Sequence, residues 1–336
     1  MRDIHPLTLL ALLSDQKFHS GQAIAEKLAI SRTTVWKLVA SLRKLGLELD
    51  SIPGRGYRLI DPPELFNRDA IMEMMGAEVK EQMARLDILA EVDSTNSYLQ
   101  NHPLLLEERL FSVALAESQT LGRGRRGKKW ESPFGRNIYL SLSLSNFSPK
   151  HSIEGLSLVT ALALVRALSP WEIVGLGIKW PNDLLVQGKK LAGILVEING
   201  EGGGSYRVVI GVGVNVRMSV ASGASIDQAW TDLCAHTTKP VSRNQIAANL
   251  ITELSDALKR FEQGGLEPFL EEWKRCDLTL DREINILQSG KVETGISKGV
   301  NRHGALLVET DQGTKQIYSG EVSIRISQTS DTMLVE

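Results

Sequence analysis

One twelve-residue segment, Gln119 to Trp130, constrains the fold of this chain more than any other stretch. It holds three glycines, three arginines and two lysines, and it predicts a flexible glycine loop. Its glycines match the G-x-G-x-x-G pattern of dinucleotide-binding folds, which requires a helix directly afterwards and an acidic residue about 20 positions later. Here Trp130-Glu131-Ser132-Pro133 interrupts any helix, and residues 138–150 contain no acid. We therefore exclude a Rossmann fold.

The same loop predicts an anion-binding site. Backbone N–H groups and guanidinium forks suit a polyphosphate or an acyl phosphate, and a triphosphate is the obvious ligand. A solvated basic loop or a nucleic-acid patch is the alternative when the segment is considered alone. The chain contains no G-x-x-x-x-G-K-[ST] sequence, so a P-loop fold is excluded as well.

Two further polar clusters point to the same chemistry. Lys179-Trp180-Pro181-Asn182-Asp183 leads into a hairpin that turns at Gln187-Gly188, and Lys190 follows in the next strand. The Asn and Asp side chains can hold a nucleotide and its Mg²⁺, and Lys190 can neutralise a carboxylate or an α-phosphate. Each cluster alone is more often a turn and a surface lysine.

Residues 1–62 have the pattern of a winged helix-turn-helix. Two short helices precede a third, Arg32 to Leu45, which Ser31 caps and Gly46 ends. Two short strands around a glycine-rich turn then predict a wing. A plain helical hairpin is the alternative, and Ala29 stands where such a turn often has glycine. The positions expected to contact DNA are Gly21, Gln22, Ser31, Arg32, Thr33, Thr34, Lys37 and Arg55.

The rest of the chain predicts two more domains beyond a linker at Asp61-Pro62-Pro63. Residues 63–277 mix helices and strands in an α+β domain of enzyme size, and residues 278–336 contain the short strands of a small β-barrel. In the larger domain, strands are predicted at 112–116, 137–144, 173–179, 190–197 and 206–216, and helices at 152–168 and 244–261.

Composition limits the function classes rather than the fold. The net charge of −2 means that nucleic-acid binding needs a local basic surface. The two cysteines, Cys234 and Cys276, are too few for a disulfide framework and fit a reducing cytoplasm. The N-terminus lacks the pattern of a secretory signal, and the most apolar helix candidate, 156–168, is too short to cross a bilayer. We therefore expect a cytoplasmic protein with no membrane partner.

Five motifs together give the chain a specific resemblance to biotin–protein ligases. In order, they are Asp93-Ser94-Thr95-Asn96, the loop Gly122 to Gly127 with Trp130, Lys179 to Asp183, Lys190 to Ile194, and Gly211 to Asn215. The resemblance covers nearly the whole chain. It extends to the bifunctional members of the family, which also repress the biotin operon. It implies an α+β protein with an N-terminal winged helix-turn-helix, a central α/β mixed-sheet domain of the biotin/lipoate ligase type, and a C-terminal SH3-like β-barrel.

The resemblance also implies a role for each matching residue. Lys190, with Arg125 and Arg123, is expected to be catalytic. The residues implied for the biotin pocket and its covering loop are Ser94, Thr95, Asn96, Gln119, Thr120, Gly122, Gly124, Arg125, Arg126, Lys190 and Gly193. Those implied for ATP and the adenylate are Trp130, Lys179, Asn182, Asp183, Asn215 and Arg123, with Asp183 also a candidate Mg²⁺ contact. Glu131 departs from the family pattern, in which an aromatic residue is expected beside Trp130.

The implied reaction has two steps. Biotin and MgATP form biotinyl-5′-AMP and pyrophosphate, and a lysine of the biotin carboxyl carrier protein of acetyl-CoA carboxylase then attacks the mixed anhydride. The resemblance further implies that biotinyl-5′-AMP promotes a homodimer, which binds the operator of the biotin operon. A lipoate-type acyl ligase and a regulator without chemistry are the two rival hypotheses.

Overall fold

The computed structural model describes residues 6–103, 110–150, 152–200, 206–288, 291–318 and 323–326. Its N-terminal part confirms the winged helix-turn-helix. Helices α1 (Pro6–Leu13), α2 (Gly21–Leu28) and α3 (Arg32–Lys44) pack around a leucine-rich core. Strands β1 (Leu49–Ile52) and β2 (Gly56–Leu59) form the antiparallel wing that follows.

The turn between α2 and α3 explains how alanine replaces the expected glycine. Ala29 adopts the left-handed conformation, with φ 53°, that glycine takes most readily. Ser31 caps α3 as predicted, because its Oγ accepts a hydrogen bond from the Thr34 N–H at 3.1 Å. Gly46 has φ 80° just beyond the end of α3, in agreement with its predicted role.

The central domain is a seven-stranded sheet, which confirms the predicted mixed-sheet domain. Only β3 and β4 run parallel, and every other adjacent pair in the order β3-β4-β5-β9-β8-β7-β6 is antiparallel. The strands are β3 (Met83–Leu89), β4 (Phe111–Ala116), β5 (Ile138–Phe147), β6 (Leu176–Lys179), β7 (Asp183–Val186), β8 (Lys189–Asn199) and β9 (Tyr206–Val214). The helices are α4 (Arg68–Met74), α5 (Ala77–Gln82), α6 (Thr95–Asn101), α7 (Leu156–Leu168), α8 (Arg243–Gly264) and α9 (Leu270–Cys276).

The two faces of this sheet differ in composition. In β9, Val208, Ile210 and Val212 belong to the main core, to which α7 and α8 contribute most of their apolar side chains. Because side chains alternate along a strand, Gly211 and Gly213 face the opposite side, where α6 packs. Glycines on this face leave space beside α6, and the functional cavity described below occupies it.

The C-terminal domain is an antiparallel sheet in the order β13-β12-β11-β10-β14. Its strands are β10 (Glu283–Gln288), β11 (Lys291–Val300), β12 (Leu306–Thr310), β13 (Gly313–Ile317) and β14 (Ser323–Ile326). Trp180 joins it to the central domain by donating its ring N–H to the Gly304 carbonyl at 2.9 Å. Residues 327–336 of the predicted third domain lie outside the described residues. The predicted domain boundaries after residues 62 and 277 stay predictions.

The winged helix and the central domain share part of one apolar core. Phe134, from the loop before β5, is only 4% exposed and packs into the winged-helix cluster. Two residues later, the Arg136 guanidinium pairs with the Asp61 carboxylate and donates to the Asp61 carbonyl at 3.1 Å. The linker is therefore held against the loop that follows Trp130. Among the described residues, no helix is both long and apolar enough to span a membrane.

Candidate functional site

A cavity of about 840 Å³ lies on the glycine-bearing face of the central sheet. Its floor is the paired Gly193 of β8 and Gly213 of β9, and the Trp130 indole lies over both. A Cβ atom at Gly213 would stand 2.5 Å from the indole ring, so only glycine leaves room for Trp130. The Trp130 ring N–H has no hydrogen-bond partner among the described residues.

The motif at the start of α6 forms a polar corner at one end of this cavity. The Gln119 side-chain oxygen accepts a hydrogen bond from the Thr95 N–H at 2.9 Å. Ser141 Oγ lies 2.7 Å from Thr95 Oγ1 and 2.6 Å from Asn96 Oδ1. Ser94, Thr95 and Asn96 are all buried. Their donors and acceptors are thus held in one arrangement, which suits recognition of a neutral polar group.

An acidic side chain that the sequence interpretation missed supports this corner from outside. The Glu197 carboxylate accepts hydrogen bonds from Asn96 Nδ2 at 2.7 Å and from Gln100 Nε2 at 3.0 Å. Its other oxygen lies 3.3 Å from an Arg123 guanidinium nitrogen, which also donates to Ser97 Oγ at 3.0 Å. Glu197 therefore connects α6, β8 and the glycine loop.

The glycine loop closes on itself as a short hairpin. The Gly124 N–H donates to the Lys128 carbonyl at 2.7 Å, and the Trp130 N–H donates to the Gly122 carbonyl at 2.9 Å. Arg126 and Gly127 at its tip both have positive φ, 57° and 72°. This geometry points several loop cations toward the cavity, which Arg123, Arg125, Arg126, Lys128 and Lys129 all line.

Two of the partly buried cations, Lys190 and Arg125, are held in place by neighbouring side chains. Lys190 Nζ is 2.8 Å from Asp183 Oδ1, with the two side chains only 16% and 18% exposed, and 5.6 Å from the centre of a Trp130 ring. Arg125 donates to Asn182 Oδ1 at 3.3 Å, while Asn182 Nδ2 donates to the Ile194 carbonyl at 2.9 Å. Burial lowers the pKa of Arg125, and the neighbouring Arg126 lowers it further. Such desolvated cations favour an anionic ligand.

Fourteen of the seventeen residues predicted for the ligand site line this one cavity. Thr120, Gly122 and Asn215 do not. Thr120 is exposed, and Gly122 lies against Trp130 and Ser132. Asn215 is buried behind the cavity, where its Nδ2 donates to the Thr231 carbonyl at 3.0 Å. The fourteen are Ser94, Thr95, Asn96, Gln119, Arg123, Gly124, Arg125, Arg126, Trp130, Lys179, Asn182, Asp183, Lys190 and Gly193.

Most of the residues predicted to contact DNA lie on the surface of the winged helix. Gly21 and Thr34 are half-buried, and Thr34 shares the cap of α3 through a 2.9 Å hydrogen bond with Ser31. At the wing, the Arg55 guanidinium stacks 4.4 Å from the centre of the Phe18 ring. The exposed residues of the predicted set are Gln22, Ser31, Arg32, Thr33, Lys37 and Arg55.

Comparison with known proteins agrees with this geometry. The family model of the biotin/lipoate A/B protein ligases matches residues 89–215, an HTH domain model matches 7–58, and the biotin protein ligase C-terminal domain matches 279–325. The chain is 39% identical over 323 residues to the bifunctional ligase/repressor BirA of Salmonella typhimurium, covering 96% of this chain and 98% of that protein. The chain belongs to the biotin–protein ligase family.

Other members of the biotin–protein ligase family extend the comparison. BirA of Escherichia coli is 38% identical over 324 residues, covering 96% of this chain and 98% of that protein. A solved structure of the Aquifex aeolicus biotin protein ligase in complex with biotin and ATP matches with a TM-score of 0.62 and 30% identity. That match covers 73% of this chain and all of the Aquifex chain.

Glu131, the departure from the biotin–protein ligase pattern, has a definite place in the site. Its carboxylate lies 2.7 Å from Lys129 Nζ and accepts a hydrogen bond from Ser225 Oγ at 2.8 Å. Burial by itself would raise the pKa of Glu131, but the bonds from Lys129 and Ser225 hold it below the usual value. Glu131 thus ties the glycine loop to residues 225–229, a lining segment that the sequence interpretation missed.

Proposed function

We propose that the protein activates biotin with MgATP to biotinyl-5′-AMP and transfers biotin to a lysine of the biotin carboxyl carrier protein of acetyl-CoA carboxylase. The observation that carries this proposal is the single cavity with a fixed polar corner at one end and desolvated cations at the other. Its volume of about 840 Å³ has room for two joined ligands. The Aquifex relative, whose structure holds biotin and ATP, supports the same pair of substrates.

In the first step, a biotin carboxylate oxygen attacks the α-phosphorus of ATP, and pyrophosphate leaves. Negative charge grows on the phosphoryl oxygens during this exchange, so cations fixed beforehand lower its barrier. Lys190 and Arg125 are the best placed, because both are largely removed from water and held by neighbouring side chains. The chemistry needs no side-chain nucleophile.

Magnesium enters this proposal as part of the substrate MgATP. Within the described ranges, no group of three or more His, Cys, Asp or Glu is placed to hold a metal ion. This fits Mg²⁺, which binds mainly through substrate phosphates, waters and one or two carboxylates. Asp183 is the carboxylate we propose for that contact, and it would then share its charge between the metal and Lys190.

In the second step, the neutral amine of the acceptor lysine attacks the carbonyl of the mixed anhydride, and AMP leaves as the amide forms. Arg125 and Arg126 on the glycine loop would cover the adenylate until the acceptor arrives. The direct test incubates the protein with biotin, MgATP and a carrier domain, and locates biotin on one lysine by mass spectrometry. A carrier domain with that lysine changed to arginine is the matched control.

The same experiment separates the rival hypotheses. If lipoate competes with biotin as an equal substrate, the protein is a lipoate-type or dual ligase. If neither acid promotes pyrophosphate release, the ligand domain is a sensor without chemistry. Biotin on the acceptor lysine alone, formed only with ATP, supports the ligase.

We further propose that the protein is cytoplasmic and that biotinyl-5′-AMP promotes a homodimer, which represses the biotin operon. One winged helix offers few contacts, and two joined modules make the second engagement with a two-fold operator intramolecular. For control by the adenylate, the dimer must bind it more tightly than the monomer does. Sedimentation with and without biotin plus ATP, followed by binding to the biotin-operon promoter, tests this. A protein that stays monomeric in both conditions would contradict the proposed repressor function and leave the proposed ligase function unaffected.

A further inference from the structure

The third helix of the winged helix carries a large aromatic side chain that the core does not use. Trp36 of α3 is 64% exposed. The apolar residues that α3 gives to the core are Val35, Leu38, Val39 and Leu42, and Trp36 lies beside this face without joining the core. A tryptophan this exposed costs nothing in core packing when it is replaced, so its role has to be sought on the surface.

Trp36 lies among the side chains predicted to contact DNA. It follows Arg32 by four residues and Thr33 by three, so the three side chains share one strip of the helix surface. Lys37 is the next residue along the chain and is also exposed. In helix-turn-helix proteins, the N-terminal part of the second helix of the motif contacts base edges in the major groove. Trp36 therefore stands in the part of α3 that would face the bases.

The charge around Trp36 favours DNA over a second protein surface of the same kind. Helix α3 contains four basic residues and no acidic one. Residues 1–62 hold nine Lys and Arg against six Asp and Glu, whereas the whole chain has a net charge of −2. A second copy of this chain would bring the same positive surface against the first, while phosphates complement it.

We propose that Trp36 enters the major groove of the operator and reads a thymine through its C5-methyl group. This inference rests on the proposed repressor function and adds to it a residue that determines sequence preference. Thymine is the base that presents an apolar group in the major groove, and an indole face matches it. Because the contact carries no charge, it adds affinity for one sequence without displacing counterions.

The experiment uses the full-length protein with biotin and MgATP. The wild type first selects its preferred duplex from a random DNA library. Binding is then measured at several salt concentrations to that duplex and to versions in which single thymines are replaced by deoxyuridine, which lacks only the methyl group. Trp36→Ala is compared with Lys37→Ala, a matched change at the adjacent exposed position. Biotin transfer checks that the central domain of both variants is intact, and an unchanged thermal unfolding profile checks the winged helix.

We expect Trp36→Ala to bind the selected duplex about tenfold to a hundredfold more weakly with an unchanged salt slope. We expect one thymine in each half-site whose replacement weakens the wild type but not Trp36→Ala. Lys37→Ala should instead reduce the slope of the logarithm of the binding constant against the logarithm of the salt concentration by about one. It should keep the thymine preference. A wild type that enriches a sequence and is indifferent to every thymine methyl overturns the inference alone. So does a Trp36→Ala variant that keeps the methyl preference. A wild type that enriches no sequence removes the repressor function as well.

Discussion

Removing the Lys190 ammonium should abolish most of the adenylation activity. This loss of rate can be measured separately from any loss of stability. Lys190→Met keeps an apolar stem beside Trp130 and deletes only the charge. A preorganised cation that meets growing oxyanion charge is worth about 3–4 kcal/mol, so the rate of pyrophosphate release should fall about 10²- to 10³-fold. Lys189→Met, on the exposed neighbouring residue, is the matched control.

The same substitution has a structural cost that must be measured separately. Asp183 lies 2.8 Å from Lys190 and is only 18% exposed, so it would lose its cation in a largely dry setting. We expect the free energy of unfolding to fall by about 2–3 kcal/mol, because a desolvated charge is left uncompensated. Adding Asp183→Asn removes that charge and should restore most of the stability.

Two measurements on Lys190→Met, Asp183→Asn and the double variant then decide the role of Lys190, because Asp183→Asn alone reports what the loss of the proposed Mg²⁺ contact does to adenylation. Urea unfolding reports stability, and pyrophosphate release with biotin and MgATP reports adenylation. We expect the double variant to regain stability but not activity. Recovery of adenylation in the double variant would show that Lys190 merely neutralises Asp183, and near-normal release in Lys190→Met would remove Lys190 from the mechanism.

Three other changes test neighbouring parts of the site. Arg125→Gly should let the adenylate escape, since the loop loses a guanidinium and gains backbone freedom, and biotin should then appear on bystander lysines; strict labelling of the carrier domain alone would refute a covering role. Gly213→Ala should displace Trp130 and raise the KM for ATP, and an unchanged KM would show that the ring is free to move elsewhere. Glu197→Gln keeps an acceptor oxygen but loses the charge facing Arg123, so the biotin KM should rise by about twofold to fivefold with little change in the melting temperature. A shift in melting temperature without a change in KM would make Glu197 purely structural.

The sequence was most informative where function depends on short, contiguous motifs. The glycine loop, the Lys179–Asp183 turn and Lys190 each carry their chemistry within a few residues, and all reach the same cavity. Gln187 and Gly188 turn the hairpin between β7 and β8 as predicted, both with positive φ. The winged helix was predictable for the same reason, because its caps and turns are local signals.

Features that depend on distant pairing could not be predicted in this way. Glu197 meets Asn96 from 101 residues away, and Ser141 meets it from 45 residues away, so neither contact leaves a local trace. Helix α6 leaves no apolar periodicity in the sequence, because it is seven residues long, mostly polar, and buries Leu99 as its one large apolar side chain; only the family resemblance indicated that a helix begins at Ser94 to Asn96. Asn215 shows a different limit, since its motif was recognised but its buried side chain donates to the Thr231 carbonyl and does not line the cavity, so its contact with the nucleotide stays a prediction.

The position of Phe134 has a consequence for how this chain can be divided. Its ring completes the winged-helix core, yet it lies only four residues beyond Trp130, in the segment that leads from the cavity to β5. A ligase fragment cut after the linker would leave that ring in water, at a cost of about 1.5–3 kcal/mol for a buried phenylalanine. Removing the winged helix would therefore lower the stability of the ligase domain as well as remove DNA binding. A shortened enzyme made from this chain should carry a polar residue at position 134, so that an exposed phenylalanine does not affect the comparison of its activity with that of the full-length protein.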